Sequence, residues 1–269
     1  MPIAQLRSHV HPRWPERALV GLALLLALAL WLHGPIAQWP GYHDFADRRT
    51  WLGIPNAADV LSNLPFALVG VWGLVRLAHA SGNAPAHTAW QLFCASLVAT
   101  AAGSAFYHWA PDNSALVADR LPIAWACATL LCAFLAERVN ERCASVPVLL
   151  AALVLASVSV VSWWLGERAG AGDLRAYLFV QFLPMLVVPA ALVLRLRVSP
   201  DATPASAWWA VLALYAAAKG LEIADRPVFD TIGLVSGHTL KHLLAAAGAF
   251  WIVCAASSRP APGRSQAAG

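Results

Sequence analysis

Gly237-His238-Thr239-Leu240-Lys241-His242 places two imidazoles four residues apart. On a helix such a pair lies on one face, one turn apart, and can hold a single ion. Ser104-Ala105-Phe106-Tyr107-His108 puts a hydroxyl and a third imidazole at the same spacing in another segment. Three histidines with a fourth position left to water is an arrangement used by catalytic zinc. Imidazole also suits copper, iron and nickel, so zinc is inferred from ligand type and common use. A lone histidine pair at this spacing carries little weight in a soluble helix. Here it lies in an apolar segment, where ionisable groups are costly and rare. The other histidines (His9, His11, His33, His43, His79 and His87) fall in tails and loops and are assigned no role.

Asp119 follows His108 by eleven residues, across a short loop containing Pro111 and Asp112. A carboxylate beside a metal-activated water can take its proton, position it, or orient a ligand histidine. Ser104 can donate to the oxyanion that forms when a carbonyl is attacked. A serine in a membrane helix also commonly packs or bonds its own backbone, and both readings stand. Lys219, Glu222 and Asp225 fall at i, i+3 and i+6, loosely along one face of one helix end. A buried ion pair suits Lys219 and Glu222, since pairing is how a membrane interior tolerates charge. Support for the ligand histidines, through Glu222 or Asp225 accepting an imidazole N–H, is the other reading, and Asp225 stays open between them. Arg120 and Lys241 have long stems that suit snorkelling to the membrane interface.

The elements that must position these groups are membrane spans. Of 269 residues, 59% are hydrophobic and only 12% charged, whereas a soluble domain carries about 25% charged residues. That composition excludes a wet-surfaced soluble domain and excludes disorder, which requires low hydrophobicity. A span needs about 20 mostly apolar residues. Eight segments qualify: 18–33, 57–78, 89–108, 117–137, 146–165, 177–196, 207–226 and 236–257. The expected fold class is therefore all-α: a polytopic membrane helix bundle. The first span follows Arg7, Arg13 and Arg17, but His33-Gly34-Pro35-Ile36-Ala37 is a poor cleavage site. It reads as a retained helix, with a cleaved signal as the other reading. The Ala/Pro/Ser/Arg tail after Ser257 is expected to fray.

Successive spans cross in opposite directions, so starts of even spans and ends of odd ones share one side. Asp59, His108, Asp119, Lys219, Glu222, Asp225, His238 and His242 all fall on that side, accompanied by Ser62, Asn63 and Ser104. Scattered polar defects would not sort in this way. With the N-terminus inside, ten arginines fall in inner segments and five in outer ones, which favours both termini inside and the polar cluster outside.

The cysteines are five in number, and four of them (Cys94, Cys127, Cys132 and Cys254) lie within apolar runs. They read as small buried hydrophobes rather than bridges. Sixteen of the 18 basic residues are arginines spread through short loops. A nucleic-acid binder would gather them on one face, so nucleic acid is not an expected partner.

Ser104-x-x-x-His108, then Asp119, then His238-x-x-x-His242 resembles the alkaline ceramidase family, part of a superfamily of seven-helix membrane hydrolases that includes the adiponectin and progestin receptors. Ile54-Pro55-Asn56 through Ser62-Asn63 resembles that family's approach to its first core helix. Lys219-x-x-Glu222-x-x-Asp225 followed by Ser236-Gly237-His238 resembles bacterial members. The resemblance spans about 42–257 and implies a seven-helix core over those residues. It leaves 1–41 as a tail with one extra N-terminal transmembrane helix and 258–269 as a disordered tail. It implies zinc held by His108, His238 and His242, with Ser104 and Asp119 completing the site. Eukaryotic members carry calcium in an acidic segment before the first core helix. Here Asp44, Asp47, Asn56 and Asp59 can supply oxygen ligands, but Arg48 and Arg49 interrupt them, and an ordinary loop of Asp–Arg pairs explains the stretch equally well.

The expected function is a zinc-dependent intramembrane amidohydrolase cleaving ceramide-like N-acyl lipids to a fatty acid and a long-chain amino alcohol. A receptor-like or regulatory protein with a structural zinc is the first alternative, since fold does not fix function. A proton or solute transporter is the second, although a pathway requires polar groups at several depths. The expected location is a bacterial inner membrane.

Overall fold

The computed structural model describes residues 14–79, 86–196, 199 and 202–258. The tail expected to fray, from residue 259 on, and Arg7, Arg13, Arg197, Arg259 and Arg264 of the charge count, lie outside them. The described residues form ten α-helices: α1 Trp14–His33, α2 Ala57–Leu61, α3 Leu64–Ala78, α4 His87–Trp109, α5 Ala115–Arg138, α6 Val146–Arg168, α7 Arg175–Val193, α8 Ala205–Ile223, α9 Asp225–Ile232 and α10 Gly237–Ser257. No strand occurs among them, only an isolated Trp51–Ile54 bridge.

Seven helical segments are long and apolar enough to cross a membrane: α1, α2 with α3, α4, α5, α6, α7 and α10. The chain is in this sense a multi-pass membrane bundle. Its surface is inverted relative to a soluble protein. Leu24, Leu28, Leu155 and Trp251 are exposed, while Asp59, Ser104, His108 and His242 are buried. Outward apolar side chains suit lipid, and inward polar ones must then find partners inside the bundle.

The segment expected as one span over 207–226 is a bent pair. Helix α8 ends at Ile223 and the chain turns by 78° into α9. Lys219 and Glu222 therefore lie on α8, whereas Asp225 opens α9, which corrects the expectation of one shared face. Periodicity alone does not register a bend, but Pro227 has no N–H and falls in the first turn of α9, the part of a helix that tolerates proline.

A gentler interruption separates α2 from α3. The Ser62 hydroxyl and the Asn63 amide both donate to the Asp59 carbonyl, at 3.0 and 2.8 Å. Side chains that capture a backbone acceptor in this way compete with the helical ladder. Pro65, which has no N–H, then sits in the first turn of α3. The break leaves Ser62 and Asn63 buried and facing the bundle interior.

Helix α4 packs between α3 and α5, α10 packs on α8 and α3, α6 and α7 flank α5, and α1 rests chiefly on α7. Helices α4 and α5 are in backbone contact at Gly103, where an added Cβ would meet the Ala118 carbonyl. Only glycine permits that approach, and it brings Ser104 and Asp119 to one wall of the bundle. The segment 34–56, with a 3-10 turn at Pro40–His43, crosses the same end of the bundle as a strap between α1 and α2.

Candidate metal centre

The C-terminal turn of α4 supplies His108, and the first two turns of α10 supply His238 and His242. Each is no more than 6% exposed. One ring nitrogen from each lies within 4.8 Å of the others, the single such cluster of His, Cys, Asp or Glu among the described residues. One ion can bridge that spacing after small ring rotations. His108 Nδ1 and His238 Nε2 are buried and have no hydrogen-bond partner among the described residues. A buried polar atom without a partner is costly and asks for an explanation. A bound cation supplies one, and three imidazoles are a donor set that zinc and its neighbours accept.

The histidines are held from behind. The Ser62 hydroxyl lies 2.8 Å from His242 Nδ1. Asp59 is fully buried and accepts from the Thr239 hydroxyl at 2.6 Å. Ser236 caps α10 by accepting from the Thr239 amide at 3.1 Å. Asp225 accepts from two backbone amides, His238 at 2.7 Å and Ala46 at 2.9 Å. Two carboxylates at the start of α10 complement the positive end of its dipole. Asp225 thus supports the histidines through the backbone of His238 and not through an imidazole N–H.

The strap covers the histidines at the end of the bundle. The Phe45 ring packs against His108 and His238 at centroid distances of 4.6 and 4.7 Å. His43, which the sequence left without a role, pairs with the Tyr107 hydroxyl at 2.8 Å and with Asn113 Oδ1 at 2.9 Å. Neither contact was legible beforehand, because loop residues carry no periodicity and the partners lie more than sixty positions away. Arg49 holds the strap down: it forms a two-pronged pair with Asp47 and donates to the carbonyls of Gly233 and Leu234. Burial pushes the Asp47 carboxyl up, but the hydrogen bonds and charge of Arg49 outweigh it and hold the carboxyl below its usual value.

The four oxygen-bearing candidates for calcium lie apart in their bonding. Asp44 is exposed and pairs with Arg48, with Arg226 at 3.8 Å. Asp47 is committed to Arg49. Asn56 donates to the His108 carbonyl at 2.8 Å, and Asp59 is tied to Thr239.

On the bundle side of the histidines opens a cavity of about 470 Å³. Its head end is lined by Ser104, Asp119, Lys219, Glu222, Lys241 and His242. Its far end is apolar, reaching Phe93, Leu130 and Ile252. From His242 to Ile252 is ten residues of α10, or about 15 Å of helix. Ser96 and Thr100 on α4 return their hydroxyls to carbonyls four residues back. Ser104 makes no such bond among the described residues, and faces the Asp119 carboxyl. Asp119 Oδ1 is buried without a partner among the described residues.

Glu222 receives both Lys219 and Lys241, the latter at 3.0 Å. Lys241 is therefore paired inside the bundle and does not snorkel. Arg120 does not snorkel either. It is 4% exposed, with its guanidinium over the rings of Trp163, Tyr177 and Tyr42 and one bond to Gln38.

Comparison with known protein families, with curated proteins and with solved structures finds no match for this chain.

Proposed function

We propose that this chain is a zinc-dependent intramembrane amidohydrolase acting on ceramide-like N-acyl lipids. The observation that carries the reading is the junction of two features. Three buried histidines, two with bare ring nitrogens, adjoin a cavity that is polar at their end and apolar for about 15 Å beyond. An amphiphile with one chain in the apolar part would bring its amide to Ser104, Asp119 and His242. A soluble substrate would have no use for the remainder.

His108, His238 and His242 would hold the metal, which supplies Lewis acidity and an activated water when bound. Asp119 has a free buried oxygen suited to taking the proton of the attacking water. It would return that proton to the amine nitrogen as the carbon–nitrogen bond breaks. Ser104 would donate its hydroxyl to the carbonyl oxygen, where charge develops. The products are a fatty acid and a long-chain amino alcohol. Phe45 and the strap would exclude bulk water from the aqueous side, so that the lipid reaches the site through the cavity.

Further parts of the reading rest on sequence. The resemblance to alkaline ceramidases makes 42–257 a seven-helix core, completed by the bent α8–α9 pair, with α1 as an added N-terminal helix. The arginine bias favours both termini inside and the site toward the outer face, and the motifs shared with bacterial members would place the chain in a bacterial inner membrane.

The test is hydrolysis of a fluorescent N-acyl sphingosine by the purified, zinc-loaded protein in a neutral detergent. Release of the labelled acid, lost in Asp119→Asn and on chelation, is expected. No release of acid from ceramide or from other N-acyl lipids by zinc-loaded protein would overturn the reading.

A further inference from the structure

The head end of the cavity carries more positive charge than its own acids balance. Five charged side chains line it besides His242: Arg120, Lys219 and Lys241 against Asp119 and Glu222. Glu222 is shared by both lysines. Among the described residues Arg120 has no carboxylate in ion-pair range, and its Nε and Nη1 are buried without an acceptor. Its one hydrogen bond, from Nη2, goes to the neutral side chain of Gln38 at 2.6 Å. A metal on the three histidines would add positive charge to the same end.

Buried charge in a membrane bundle is ordinarily paired, because low-dielectric surroundings penalise an isolated ion. Three aromatic rings around Arg120 offset part of that penalty, the nearest with its centroid 4.2 Å away. Ring faces do not replace an anionic acceptor for a guanidinium fork. Arginine presents donors in the fixed geometry that carboxylate and phosphate match. Tyr42, from the strap, lines the cavity and holds its ring beside the guanidinium, with Lys241 and Glu222 acting on it as well as Arg120 and Asp119. Arg120 and Lys241 therefore bound one head-end space from opposite walls, on α5 and α10.

We propose that this space is an anion site, in which Arg120, with Lys241 opposite, takes the carboxylate or phosphate of a single-chain amphiphile. Under the amidohydrolase reading, on which this point rests, the substrate's amine half would carry an acid group, as an N-acyl amino acid does, in place of the neutral long-chain amino alcohol of a ceramide. A neutral amino alcohol would leave Arg120 unpaired. Binding itself does not depend on turnover.

The experiment measures binding of dodecanoyl-glycine, dodecyl phosphate, dodecanoic acid and the neutral dodecanoyl-ethanolamide to the zinc-loaded protein in neutral detergent. Quenching of tryptophan emission is the readout, since Trp163 lies against Arg120. At least tenfold tighter binding of the anionic ligands than of the ethanolamide is expected, with the preference lost in Arg120→Gln and reduced in Lys241→Gln. Tighter binding of dodecanoyl-glycine than of dodecyl phosphate would mark a carboxylate site, and the reverse order a phosphate site. Preference for dodecanoic acid over both would mark retention of a free acid product. Equal binding of charged and neutral ligands by the wild type would overturn the proposal, as would a preference that survives both substitutions. If Arg120→Gln fails to fold, Arg120→Lys keeps the charge and removes the fork, and a weakened preference is expected there. Anion binding without hydrolysis of any amide would sink the hydrolase reading and leave the anion site standing.

Discussion

The Ser62 hydroxyl lies 2.8 Å from His242 Nδ1 and donates to the Asp59 carbonyl at 3.0 Å. A hydroxyl has one proton. Given to the carbonyl, it leaves the Ser62 oxygen to accept from His242 Nδ1–H. That fixes the imidazole tautomer and leaves Nε2 with a free lone pair for a metal. The break between α2 and α3 turns Ser62 inward, behind a histidine that could hold a metal.

Ser62→Ala removes this orienting partner without opening a large cavity. Loss of such a partner lowers metal affinity by about 10–100-fold. Competition with a chromogenic chelator checks it, with thermal unfolding as the control for folding. Unchanged affinity in a folded variant would show that Ser62 does not orient His242.

Asp225 ties the strap to α10 by accepting from Ala46 and His238. Asp225→Ala is expected to cost about 1.5–3 kcal/mol, the range for hydrogen bonds to a charged group. It should also loosen the metal. Asp225→Asn keeps a single acceptor oxygen and should fall between. Thermal unfolding in detergent, with and without zinc, measures both effects.

The Asp47–Arg49 pair sets a pH dependence. The folded-state pKa of Asp47 is depressed below its ordinary 3.8. Its contribution to stability is therefore complete above about pH 4 and is lost as pH falls through the lower, folded value. Asp47→Asn should lower the melting temperature at pH 6 and flatten its decline on acidification. Parallel declines in wild type and variant would remove the pair from the account.

The cavity wall on α10 steps down from His242 through Ala245, Gly248 and Ala249 to Ile252. Ala249→Phe fills the passage below the head end. Under the hydrolase reading, activity on long-chain amides should fall at least tenfold while short-chain amides are still cleaved and metal is retained. Equal losses on both would mean the chain lies elsewhere.

The metal cluster was legible because two kinds of regularity survive without coordinates. Helical spacing puts His238 and His242 on one face, and alternating span direction puts His108 and Asp119 at the same end. What was not legible depends on contacts without period. Asp225 was misplaced because the α8–α9 bend leaves hydrophobic spacing unchanged. Phe45 and His43 sit on a strap whose partners are remote in sequence. The long stem of Arg120 suits snorkelling or an inward turn equally, and only the rings of Trp163, Tyr177 and Tyr42 decide for the interior. Ser62 was noticed as a buried polar group, but its partner across the bundle was not.

His108, His238 and His242 are placed to share one metal ion. Elemental analysis of the purified wild type and of His238→Ala, side by side, tests it most directly. About one zinc per chain in the wild type and its loss from a folded His238→Ala protein are expected. A well-folded wild type that carries no metal, and takes none up from added zinc, would contradict the account.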